Sequence, residues 1–231
     1  MKIIKISLIN TITMIRLIGS FILPFIYVKY GPSIASLFII ILFLTDAIDG
    51  FLARHLKAAT FFGSAADAIS DKVLNTVSFI ILSLEHTIML APLIIEISIM
   101  YTFYSTYRYG GNVQASKTGK MKTIVLDIFV ILSFVIMSLP LINNKSRFLL
   151  RIIDNTEFII TIFGFIIIVA CLIALFDYLR KNTYARLNPK SVTIKKTHKK
   201  KKNIKLIMKQ LFDTDYYMKH KDESIMKQLY I

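Results

Sequence analysis

The sequence is poor in the features that define several protein classes. One cysteine in 231 residues, Cys171, excludes an intramolecular disulfide framework. Eight glycines and five prolines exclude a collagen-like chain. Acidic residues are scarce, 14 against 29 lysines and arginines, for a formal net charge of +15. No internal sequence repeat is present, and no apolar run shows the strict alternation of a half-buried strand.

Apolar residues are abundant instead. They make up 55% of the chain, and the mean hydropathy of +0.61 is too high for an ordinary soluble domain. Six continuous apolar runs cover roughly Leu8–Val28, Ser33–Leu52, Ala66–Leu84, Met89–Tyr107, Thr123–Ile142 and Phe158–Tyr178. Each has about 20 residues, the length at which a helix crosses the hydrocarbon layer. The expected fold is an all-α integral membrane bundle of six transmembrane helices. Asn10 and Arg16 interrupt the first run, which therefore reads as a retained helix and not as a signal peptide. Gly31-Pro32 reads as the turn between runs one and two.

The positive charge is concentrated at one end. Residues 1–179 hold 14 basic and 10 acidic side chains, whereas 180–231 hold 15 basic and only 4 acidic. The division expected is a membrane domain over 1–180 and a basic, flexible tail over 181–231. Lys2, Lys5, Arg54, Lys57, Arg108, Lys117, Lys120 and Lys122 would fall on one side of the bilayer, against Lys29, Lys145, Arg147 and Arg151 on the other. The positive-inside rule then puts both termini in the cytoplasm. The run Lys195–Lys202 suits an anionic membrane surface. Nucleic-acid binding is not expected, since Tyr216-Tyr217 alone supply no platform of spaced aromatics. Residues 204–212 read as a short amphipathic helix on the bilayer.

The acids of the apolar body are unusually placed. Asp46 and Asp49 lie near the end of the second run, and Asp67 and Asp71 at the start of the third. A carboxylate near the centre of a membrane helix costs about 2.5–3.5 kcal/mol, so such residues mark function unless they are paired. Asp46, Asp49, Gly50 and Ala53 share one helical face by spacing, as do Gly63, Asp67 and Asp71. The short connection 54–62 makes the two helices antiparallel neighbours whose acidic faces can meet. Four carboxylates converging on a wet pocket form a hard-oxygen site suited to Mg²⁺ or Mn²⁺, with room for two ions. The alternative is an interface network in which Arg54, Lys57 and Lys72 neutralise the acids.

The run Asp46-x2-Asp49-Gly50-x2-Ala53-Arg54-x8-Gly63-x3-Asp67-x3-Asp71 resembles the signature of the CDP-alcohol phosphatidyltransferases, with every fixed position matched. The resemblance covers about residues 1–180. It implies a six-helix membrane enzyme, often a homodimer, in which an alcohol attacks the lipid-side phosphorus of CDP-diacylglycerol and CMP leaves. It implies Asp46, Asp49 and Asp67 as metal ligands, and Asp71 as catalytic base and further ligand. Gly50, Ala53, Arg54 and Gly63 fall to the CDP-lipid site.

Two weaker elements point to the acceptor. Asn10-Thr11-Ile12-Thr13-x2-Arg16-Leu17 resembles the opening of many members, and Gly119-Lys120-Met121-Lys122-Thr123 resembles an element of the bacterial members that use glycerol 3-phosphate. Ala68 stands where those members often carry proline. Lys120, Lys122, Arg108 and Arg16 are the expected acceptor-binding residues, since an anionic acceptor needs cations of its own. Inositol phosphate, serine or another polyol are the other acceptors this chemistry allows. Glu96 and Asp127 read as hydrogen-bond partners within the bundle or as part of the acceptor pocket. A prenyltransferase would need a different aspartate spacing, and an ion transporter would be expected to show broken helices in two matching halves. Every motif residue precedes the tail, so loss of the tail is expected to leave the chemistry intact. The membrane expected to house such a chain is the bacterial cytoplasmic membrane.

Overall fold

A computed structural model describes residues 2–56, 58–109, 117–141, 146–187 and 211–220. The described residues are helical, with no strand among them. The helices are α1 (Lys2–His55), α2 (Phe61–Glu85), α3 (Leu90–Arg108), α4 (Lys117–Ser138), α5 (Arg147–Asp154), α6 (Thr156–Leu187) and α7 (Thr214–His220).

At 54 residues, α1 would run about 80 Å if straight, far beyond the ~30 Å hydrocarbon layer. It folds back on itself at Gly31, whose φ of 77° and ψ of −178° are not helical. A Cβ at Gly31 would meet nothing within 4 Å, so the backbone conformation and not space demands glycine there. The two arms, 2–30 and 32–55, pair antiparallel. Thr13 meets Asp49, Arg16 meets Asp46, and Gly19 lies against Leu42. The turn expected at Gly31-Pro32 is therefore the tip of a helical hairpin.

Four helices are long and apolar enough to cross a membrane: Lys5–Ala53, Thr87–Thr106, Thr118–Leu141 and Thr156–Leu187. The first contains both arms of the hairpin. α2 is not among the four; Asp67, Asp71, Lys72 and Glu85 interrupt its apolar sequence. The described residues are thus those of an all-helical integral membrane protein.

The core lies where the hairpin, α2, α4 and α6 converge, on Leu23, Ile39, Leu42, Leu74, Phe79, Phe134 and Ile167. The opposite faces carry large apolar side chains that remain uncovered, among them Phe25, Val28, Phe165 and Phe176. That distribution suits lipid contact. Hydroxyls inside the bundle are satisfied by carbonyls one turn back: Ser20 bonds Arg16, Ser78 bonds Leu74, and Ser133 bonds Phe129.

Two segments depart from the expected boundaries. α6 continues to Leu187, so 181–187 extend the last long helix instead of opening a flexible tail. Residues 211–220 pack against α2 through aromatic rings. The Lys195–Lys202 run and most of the expected 204–212 helix lie outside the described residues. Between α4 and α6, α5 has no buried residue and is capped by Ser146, whose Oγ accepts from Leu149 N at 3.3 Å.

Candidate functional site

The site forms where the hairpin arms meet the first turns of α2. Thr60 caps α2, its Oγ1 accepting from Gly63 N at 3.0 Å. That cap fixes where α2 starts and so turns Asp67 and Asp71 toward the hairpin. The second arm brings Asp46 and Asp49 to the same place, and the first arm contributes Thr13 and Arg16. The four carboxylates thus come together as their helical spacing predicts.

Arg16 sits at the centre and is fully buried. Its guanidinium bonds Asp46 through one terminal nitrogen and Asp67 through the other. Asp49 lies 3.6 Å and Asp71 3.3 Å from the same nitrogens. Arg16 Nε donates to Ser70 Oγ at 3.0 Å, and Thr13 Oγ1 donates to Asp49 Oδ2 at 3.0 Å. Asp49 is almost closed off, at 4% side-chain exposure, whereas Asp46, Asp67 and Asp71 keep 36%, 44% and 34% open. Three acids are therefore reachable by a ligand while one is held from behind.

The donor set fits divalent cations. Asp46, Asp49 and Asp67 each offer an oxygen within 4.8 Å of the others, with neither His nor Cys in the group. Among the described side chains, four carboxylates face one paired guanidinium, an excess of negative charge. Hard oxygen donors with that excess suit Mg²⁺ or Mn²⁺, and the arrangement does not suit zinc.

A cavity opens on each side of the cluster. The first, of about 200 Å³, is lined by Asn10, Thr13, Asp49, Gly50, Ala53, Gly63 and Asp67, with Tyr217 at its edge. Gly50, Ala53 and Gly63, the residues expected to receive a CDP-lipid, thus share one wall system. Gly63 is needed for close approach: a Cβ there would lie 2.8 Å from Asn10 Oδ1 and 3.1 Å from Thr60 Oγ1. The Arg54 side chain lies outside the described residues.

The second cavity, of about 380 Å³, is lined by Asp71, Lys72, Asn75, Glu96, Lys120, Lys122 and Tyr178, among others. Lys120 and Lys122, the two lysines expected to bind the acceptor, both line it. Lys122 forms an ion pair with Glu96. Arg16 differs from its expected place: it belongs to the carboxylate cluster and borders neither cavity. The Arg108 side chain lies outside the described residues. Asp127 accepts from Asn75 Nδ2 at 3.1 Å, within the bundle.

Two residues take places beside the site that the sequence did not foresee. Lys72 follows Asp71 directly and lines the same second cavity, with its Nζ 5.2 Å from the Phe103 ring centre. The adjacent Asp71-Lys72 pair was the available signal. Tyr217 had no local signal at all.

The chain is similar to known proteins. Three curated relatives carry the name CDP-diacylglycerol–glycerol-3-phosphate 3-phosphatidyltransferase. That of Salmonella choleraesuis is 32% identical over 129 residues, covering 49% of this chain and 70% of the relative. That of Sodalis glossinidius is 33% identical over 113 residues, covering 45% and 60%. That of Yersinia pestis (strain Pestoides F) is 32% identical over 113 residues, with the same two shares. No solved structure matches the chain. The family model for CDP-alcohol phosphatidyltransferases matches residues 7–174, which include all four aspartates, Arg16 and both cavity-lining lysines of the fourth helix, and the chain belongs to that family.

Proposed function

We propose that this enzyme transfers the phosphatidyl group of CDP-diacylglycerol to glycerol 3-phosphate and releases CMP. The observation that carries the reading is the placement of the carboxylate cluster between two unlike cavities. One has small residues and an open wall for a nucleotide diphosphate. The other gathers Lys72, Lys120 and Lys122 for an anionic acceptor.

In this reading Asp46, Asp49 and Asp67 hold divalent cations, with Asp71 as a further ligand. Bound Mg²⁺ or Mn²⁺, two ions by preference, would neutralise the diphosphate and stabilise the leaving CMP. The acceptor hydroxyl attacks the lipid-side phosphorus, and the bond from that phosphorus to the CMP oxygen breaks. Asp71 lines the acceptor cavity and takes the hydroxyl proton as attack proceeds. Gly50, Ala53 and Gly63 let the nucleotide approach the backbone, with Arg54 as a phosphate contact. Lys72, Lys120 and Lys122 bind the acceptor phosphate, and Arg108 is assigned to the same role from its sequence position. Arg16 orients the carboxylates and limits their mutual repulsion.

The reading includes six membrane crossings, with the hairpin arms and α2 counted separately. Both termini and the active site face the cytoplasm, in a bacterial cytoplasmic membrane. It also includes a homodimer. The test is membranes containing the chain, incubated with CDP-diacylglycerol, Mg²⁺ and a panel of alcohols. CMP release that requires both metal and glycerol 3-phosphate, with phosphatidylglycerophosphate as the lipid product, is expected. Release with serine or a neutral polyol in preference would keep the transferase and replace the acceptor.

A further inference from the structure

The C-terminal segment is remote in sequence from the motif, yet it borders the nucleotide-side cavity. Residues 211–220 lie beyond 7–174, the part that matches the family. Two aromatic contacts anchor the segment to the start of α2. The Phe212 and Phe62 ring centres are 4.9 Å apart, and Tyr217 meets Phe61 edge-on at 4.9 Å. Tyr216 adds a 6.0 Å contact to Phe61. Asp213 organises the short helix, its Oδ1 accepting from Asp215 N at 2.9 Å and Tyr216 N at 3.3 Å. Thr214 is buried beneath it.

Phe61 and Phe62 immediately precede Gly63, so the anchored segment reaches both openings next to that glycine. Tyr217 lines the cavity that holds Asp49, Gly50, Gly63 and Asp67. Phe212 lines a different, largely apolar cavity of about 510 Å³ with Met14, Ile15, Ile18 and Phe62. Ile15 and Ile18 are exposed residues of the first hairpin arm. Asn10 borders both cavities, so they adjoin. A chamber bordered by carboxylates that adjoins a largely apolar groove matches a molecule with a nucleotide head and hydrocarbon chains.

Resting on the transferase reading, we propose that residues 211–220 form the outer wall of the CDP-lipid site. Tyr217 packs against the nucleotide half and Phe212 against the glycerol and acyl half. A planar base gains contact from an aromatic side chain whatever its hydrogen-bonding edge. The chain thereby adds a wall to its donor site from a segment outside the matched domain. The expectation that the tail is dispensable for the reaction is replaced by a role in donor binding.

The test is steady-state kinetics of the full chain in proteoliposomes, with CDP-diacylglycerol varied at saturating glycerol 3-phosphate and the reverse. Tyr217→Ala should raise the apparent KM for CDP-diacylglycerol about tenfold, on the scale of one lost base–aromatic contact. Its kcat should stay within about twofold and its acceptor KM should not move. Phe61→Ala, which removes the anchor, should reproduce the effect, and Tyr217→Phe should restore the wild-type value. CDP alone, used as a competing ligand, should lose affinity in Tyr217→Ala but not in Phe212→Ala. A donor KM unchanged in both Tyr217→Ala and Phe61→Ala, with wild-type turnover intact, would overturn the wall and leave the transferase standing. A fall in kcat with both KM values unmoved would also overturn it. Absence of CMP release by the full wild-type chain with every alcohol would instead sink the transferase reading on which the wall depends.

Discussion

Thr13 donates a 3.0 Å hydrogen bond to Asp49 across thirty-six residues of chain. This bond ties the least exposed carboxylate of the cluster to the opposite arm of the hairpin. It leaves the other oxygen of Asp49 for a ligand, and it fixes the rotamer from behind. Asp49→Ala should therefore lose at least about 100-fold in turnover, the lower range for a positioned electrostatic group. Thr13→Val should cost less, about 1 kcal/mol of transition-state stabilisation, since it removes one hydrogen bond and no charge. CMP release measured at saturating Mg²⁺ checks both, and near-normal turnover of Asp49→Ala would remove that residue from the metal site.

Arg16→Ala is expected to act on stability before chemistry. Removing one partner of a buried ion cluster costs about 3–5 kcal/mol. Without the guanidinium the four carboxylates repel one another, so the variant should gain more thermal stability from Mg²⁺ than wild type does. Melting of the detergent-solubilised protein with chelator and with added Mg²⁺ measures the difference. Equal Mg²⁺ shifts in the two proteins would contradict the central placement of Arg16.

Asp71→Asn should keep CDP-diacylglycerol binding and lose transfer. Asn is nearly isosteric but cannot take the proton of the attacking hydroxyl. Binding and single-turnover CMP release should separate, with binding within a fewfold of wild type. A variant that loses only donor affinity would make Asp71 a ligand and not the base.

Lys122→Ala should raise the KM of glycerol 3-phosphate more than that of CDP-diacylglycerol. Loss of one charge-assisted hydrogen bond amounts to about 1.5–3 kcal/mol, or roughly 10- to 150-fold in kcat/KM. The pairing with Glu96 adds a second expectation: Glu96→Gln frees the ammonium and should lower the acceptor KM. If an uncharged alcohol responds to Lys122→Ala as strongly as the phosphorylated one, the lysine is not reading the phosphate.

Gly63→Ala places a methyl group 2.8 Å from Asn10 Oδ1, the side-chain amide oxygen. Asn10 or the start of α2 must then shift, at about 1–3 kcal/mol for an overpacked site. Because Asn10 and Gly63 both line the nucleotide-side cavity, the donor KM should rise while the acceptor KM holds.

Local spacing was enough to place the four aspartates, because residues three and four apart share a helix face wherever the helix goes. The two glycines and Ala53 followed by the same rule. Contacts between distant segments were another matter. Arg16 was legible as a motif residue, but its partners lie 30 and 51 residues away and depend on how the hairpin closes. It was accordingly grouped with lysines it does not join. Lys72 entered only the alternative reading, as a neutraliser of the acids, whereas it lines the second cavity together with Asp71. Tyr217 meets Phe61 across more than 150 residues, and no period or spacing carries that information. The tail looked solvated because its lysine run dominates the composition and hides a short aromatic segment behind it.

The hairpin tip at Gly31 sets the phase of the whole site. Arg16 and Asp46 are counted off from it in opposite directions, about fifteen residues along each arm, so the tip lies some 22 Å from the chemistry. An extra residue in the turn itself can be absorbed as slack. The same residue inserted within one arm rotates everything beyond it by about 100° and slides it by about 1.5 Å. Asp46 and Asp49 would then face lipid, and Thr13 and Arg16 would face apolar side chains. The hairpin tip thus acts as the index mark for a site it never touches, and length changes in either arm would disturb that site even where sequence is free to drift.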